Sequence, residues 1–99
     1  MTKVMELEDQ IRLAGEAEMI LSHDLVKAAI NTLRADAYAK IEATKPSQKE
    51  EREFLYHRLQ AINGFEQQFQ FHIENGRMAR GILDEWRAKK TTEGRRRRT

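Results

Sequence analysis

One stretch constrains this chain more than any other: Ser47–Gly76, SQKEEREFLYHRLQAINGFEQQFQFHIENG. It begins just after the single proline, Pro46, and contains no further helix breaker except Gly64 until Asn75-Gly76. Leu55, Leu59, Ile62, Phe65, Phe69 and Ile73 recur at steps of four and three, which places them on one helical face. Ser47 and Glu50 have the S-x-x-E spacing of a capping box, and Glu50, Glu51 and Glu53 suit the positive end of the helix dipole. Asn75-Gly76 reads as a C-terminal stop, with the glycine in a left-handed position. The stretch therefore predicts a helix of roughly 41 Å at ~1.5 Å per residue. Gly64 beside Phe65 is compatible with close approach of a partner helix and equally with a tolerated surface glycine.

A second periodic segment precedes it. Val26, Ile30, Leu33, Ala37 and Ile41 make one face of a helix over about 22–45, with Ser22 as its N-cap and Asp24 in its first turn. Lys45-Pro46 ends it, because the residue before proline is pushed out of helical geometry. So short a link makes the two segments an antiparallel hairpin, about 22–45 and 48–75. Residues 3–21 predict a less regular N-terminal helix, with Val4, Leu7, Ile11, Ala14 and Glu18 in line and Gly15 as a weak point. Residues 77–90 predict a short C-terminal helix carrying Met78, Ile82 and Trp86. Thr91–Thr99 contains no apolar residue and reads as a disordered basic tail.

Composition agrees with an all-α chain. Of 99 residues, 39% are hydrophobic and 34% charged, and only two are valine. The mean hydropathy of −0.79 fits thin apolar stripes better than a deep core. The expected organisation is one helical domain over 1–90 and the tail over 91–99. The hairpin leaves its stripes open unless the first helix or a second copy covers them. The first helix is a poor cover, so self-association is expected.

Charge is unevenly distributed. Residues 1–75 carry nine Lys/Arg against thirteen Asp/Glu, a net of −4; residues 76–99 carry nine against three, a net of +6. Arg87, Lys89, Lys90, Arg95, Arg96, Arg97 and Arg98 form a basic segment suited to phosphate or an acidic protein surface. Val26, Ile30, Leu33, Ile41, Leu55, Leu59, Ile62, Phe65, Phe69 and Ile73 form the expected helix-packing or oligomer face. The aromatics Phe65, Phe69, Phe71 and Tyr56 have no interleaved cations and read as core, not as a base-stacking platform.

Chemistry is hard to find in the sequence. With no cysteine, disulfides, thiolate catalysis and Cys-ligated zinc are excluded. His23, His57 and His72 lack metal-ligand spacing. Carboxylates such as Glu66 and Glu74 read as a solvated face. No enzyme activity, cofactor or metal is expected, and no apolar run approaches the ~20 residues of a membrane span.

The runs Lys45–Tyr56 (KPSQKEEREFLY), Ala61–Phe65 (AINGF) and Phe71–Ala79 (FHIENGRMA) resemble small helical proteins encoded among the head-assembly genes of tailed bacteriophages. The resemblance covers about residues 22–80. It implies a structural or packaging-accessory role in a virion, in contact with other virion proteins and near a genome, in the host cytoplasm or the particle. It brings no catalytic residues with it. Two alternatives stay open: a nucleic-acid-binding accessory acting through the basic segment, and an adaptor or inhibitor that binds a host protein.

Overall fold

A computed structural model describes the backbone of residues 2–98 and the side chains of residues 3–91. The chain is all-helical, with no strand among the described residues. Its helices are α1 (Thr2–Ser22), α2 (Asp24–Glu42) and α3 (Lys49–Arg98).

The α1–α2 junction is a single residue, His23. Ser22 was expected to cap α2, but it closes α1, and its hydroxyl donates to the Met19 carbonyl at 3.2 Å. His23 caps instead. Its backbone is extended, and its Nδ1 accepts from the Leu25 N–H at 3.2 Å. An imidazole nitrogen serves here because its only task is to accept one of the N–H groups that a helix start leaves unbonded. Gly15 does not interrupt α1, which is continuous.

The α2–α3 link covers residues 43–48, longer than the one or two residues expected. The predicted Ser47–Glu50 capping box is absent. Gln48, immediately before α3, braces the loop instead: its Oε1 accepts from the Lys45 N–H (2.8 Å) and its Nε2 donates to Glu51 (3.0 Å). Arg52 then reaches back over the loop, donating to the Thr44 hydroxyl (3.1 Å) and the Lys45 carbonyl (2.9 Å). These bonds fix the turn at Pro46 and delay helix entry to Lys49.

The largest departure is at Gly76. Among the described residues no glycine has positive φ, and α3 runs through Asn75-Gly76 without a stop. The separate helix expected over 77–90 is therefore part of α3. The helix also takes in most of the segment expected to be a tail, whose side chains from Thr92 on lie outside the described residues. The glycine answers a packing need: a Cβ built on Gly76 would overlap the Ala14 methyl and lie 3.1 Å from the Gln10 carbonyl. A Cβ on Gly64 would meet open space, so within this chain Gly64 is not a site of close approach.

The chain divides into two compact units. One joins α1 up to Glu18 with α3 from Phe71 onward. Its buried residues are Leu7, Ala14, Ala17, Gly76, Ala79 and Leu83, with Val4 and Ile11 packed beside them. The small residues among these let two backbones come close enough for continuous dispersion contact. The other unit spans Met19–Gln70 and pairs α2 with the first part of α3. Ile30, Ala37, Leu55 and Leu59 are its buried residues.

Gly76→Val is expected to cost about 1–3 kcal/mol in urea unfolding, the range for overpacking a tight contact. Gly64→Ala is expected to gain roughly 0.5–1 kcal/mol by removing a mid-helix glycine in open space. A neutral Gly76→Val would contradict the close α1–α3 contact.

Candidate interaction surfaces

In the Met19–Gln70 unit, contacts between α2 and α3 step down one helix as they climb the other. Arg52 meets Thr44, and Arg34 meets Asn63 and Glu66. Arg34 is the polar centre of this seam. Its Nε donates to Asn63 Oδ1 at 3.0 Å and its Nη2 to Glu66 Oε2 at 3.1 Å. Both side chains of the ion pair are about two-thirds covered. The planar guanidinium suits this role because it serves two acceptors at once. Glu66 was expected to belong to a solvated face; the cross-helix pair with Arg34 corrects that.

The ten residues of the expected packing face divide three ways. Ile30, Leu55 and Leu59 are buried; Val26, Ile41, Ile62, Phe69 and Ile73 are half-buried; Leu33 and Phe65 are exposed. The aromatic series departs from its core assignment. Phe65, Phe71 and Tyr56 are exposed, and Phe65 keeps only an edge-to-face contact with half-buried Phe69, centroids 5.2 Å apart. A single seam between two helices covers one stripe on each, so a wider stripe emerges at its side.

In the other unit, the expected Met78–Ile82–Trp86 line is not the packed one. Gly76, Ala79 and Leu83 face inward, while Met78, Ile82 and Trp86 stay exposed. The packed face is turned by one residue: Ala79 and Leu83 cluster with Leu7 of α1, beside Val4 and Ile11, and Gly76 lies against Ala14. Arg87, Lys89 and Lys90 are exposed and form no ion pair with another described residue. The side chains of Arg95, Arg96, Arg97 and Arg98 lie outside the described residues.

The charge layout also differs from an acidic body with a basic tail. Residues 1–18 carry two cations and five anions, residues 71–99 nine cations and four anions, and both belong to one unit. The acidic N-terminal segment thus shares a unit with the basic C-terminal one. The Met19–Gln70 unit carries seven of each sign and is neutral.

Of the histidines, His23 is a cap, His72 sets its ring edge-on to Phe71 at 6.0 Å, and His57 is exposed. Among the described residues no three His, Asp or Glu side chains converge as a metal site, and no helix is long and apolar enough to cross a membrane. Comparisons with protein-family models, curated proteins and solved structures give no match.

The Arg34–Glu66 pair is expected to show a coupling of about 0.5–1 kcal/mol in an Arg34→Ala/Glu66→Ala double-mutant cycle, limited by its partial exposure. A coupling indistinguishable from zero would remove it as the centre of the seam.

Proposed function

We propose that this chain is a non-enzymatic structural assembly protein that works as an oligomer, in the manner of the phage head-morphogenesis and packaging-accessory proteins its sequence resembles. The observation that carries the reading is the balance of covered and uncovered apolar side chains. Among the described residues nine hydrophobic side chains are buried, four of them alanines, while fourteen large ones are exposed. Only Ala37 and Ala79 are almost completely enclosed.

A two-helix unit has no interior of the kind a third helix would create. It buries one stripe per helix and leaves the flanks to water or to a partner. Exposed aromatic and aliphatic side chains at this density are the raw material of subunit contacts. In this reading the helical pairs supply protein–protein contacts, with further copies or other virion proteins as partners, in the host cytoplasm or the particle.

A second reading is supported by Arg87, Lys89 and Lys90, which are exposed and stand next to the four consecutive arginines in sequence. In that reading the basic end touches nucleic-acid phosphate without reading sequence.

Size-exclusion chromatography with light scattering is expected to give a defined multiple of 11.6 kDa, unchanged on removal of residues 91–99. A monomer at several hundred micromolar would contradict the assembly reading. The second reading predicts duplex DNA binding that weakens steeply between low and moderate salt and is lost with the tail. No binding at low salt would remove it.

A further inference from the structure

The Met19–Gln70 unit has two unlike flanks, and the hydrogen bonds of Arg34 fix which is which. At about 100° per residue, Arg34 lies roughly 40° to one side of Ile30, the buried residue of α2, and Leu33 lies roughly 60° to the other. Asn63 of α3 shares the Arg34 flank because the two are bonded. Phe65, two residues further on, is about 200° round the helix and emerges on the opposite flank. Leu33 and Phe65 therefore lie on the same side of the pair. The same rotation brings Leu25 and Ala29 of α2, and Phe54 and Phe69 of α3, to that side. The Arg34 flank holds Asn31, Asn63, Glu66 and Gln67, with Tyr38 and Tyr56 as its only large aromatics.

We infer that the Leu33–Phe65 flank is the self-association face, and that its occupant is the same flank of a second copy, forming a four-helix bundle across a two-fold axis. The inference rests on the oligomeric reading above and adds to it the surface and the symmetry. Area supports it. Leu25, Leu33, Phe54 and Phe65 are 73, 47, 67 and 57% exposed. With aromatic side chains offering about 150–250 Å² each, these four leave roughly 450 Å² of apolar surface open. Roughly 300–600 Å² is the size of the largest apolar patch on a typical monomer, and such a patch is often functional. Two copies bring about 900 Å² together, and Asp36, Lys40 and Arg58 at the rim extend it toward the roughly 1,200 Å² of a stable interface.

Charge supports it too. The unit is neutral, with seven cations and seven anions, so two copies of it meet without net repulsion. Asp36 and Lys40 already pair at 3.0 Å on this flank, leaving no stranded charge of either in the contact. The Arg34 flank offers an apolar surface little to match, which makes a like-with-like contact the best cover within this unit.

The absence of cysteine gives a direct test. In the full chain, Leu33→Cys is expected to oxidise to a disulfide-linked dimer in high yield at low micromolar protein. Gln67→Cys on the Arg34 flank is expected to stay largely monomeric on denaturing gels. Phe65→Glu, at an exposed position, is expected to at least halve the mass seen by light scattering while helical circular dichroism is retained. If the wild type is multimeric but Leu33→Cys does not cross-link, or Gln67→Cys cross-links as well, the flank assignment fails and the assembly reading stands. A wild type that is monomeric at high concentration overturns both. Should Phe65→Glu unfold, the two cysteine variants decide the matter alone.

Discussion

A pair of helices can hide only the stripe along which they touch, and nearly everything about this chain follows from that limit. Each compact unit is such a pair. The seams are well made: Ile30, Ala37, Leu55 and Leu59 fill one, and Leu7, Ala79 and Leu83 fill the other. What they cannot do is enclose the second apolar stripe that the sequence carries beside them. Leu33 and Phe65 belong to the same periodic series as Ile30 and Ile62, yet they fall far enough round their helices to miss the seam. The exposed surface follows from having only two helices in each unit.

The two seams use different means to fix their register. In the Met19–Gln70 unit the means is polar. Arg34 bridges to Asn63 and Glu66, and Arg52 ties the loop at Thr44 and Lys45, so a slip along either helix would break charge-assisted bonds. In the other unit the means is steric. The Gly76 backbone against Ala14 admits no side chain, so this register depends on a glycine at that position. Neither device requires a large core, which suits a chain whose large apolar residues face mostly outward.

Much of this architecture was legible in the sequence, and the misses share a cause. Helix type, the break at Pro46 and the inward positions Ile30, Ala37, Leu55 and Leu59 came from composition and periodicity, which are local properties. Gly76 was misread because a glycine that ends a helix and one that admits a neighbouring backbone look alike until the neighbour is known. The Met78–Ile82–Trp86 line is the conspicuous apolar one in the sequence, but it is Ala79 and Leu83 that pack on Leu7 of α1. Ser22 and Ser47 suit a cap by residue type, whereas at the start of α2 it is His23 that holds the position from which a side chain reaches a free N–H, and Gln48 braces the loop before α3. The expected packing face mixed seam and flank residues, since a single periodicity cannot say how wide a stripe one partner helix covers.

We propose that a second protein surface, supplied by another copy, completes the burial these helix pairs leave undone. Thermal unfolding followed by circular dichroism over a hundredfold range of protein concentration tests it most directly. If folding is coupled to association, the midpoint rises by several degrees from the lowest concentration to the highest. A midpoint independent of concentration would mean that the isolated chain is stable with its apolar flanks in water, and would contradict the account.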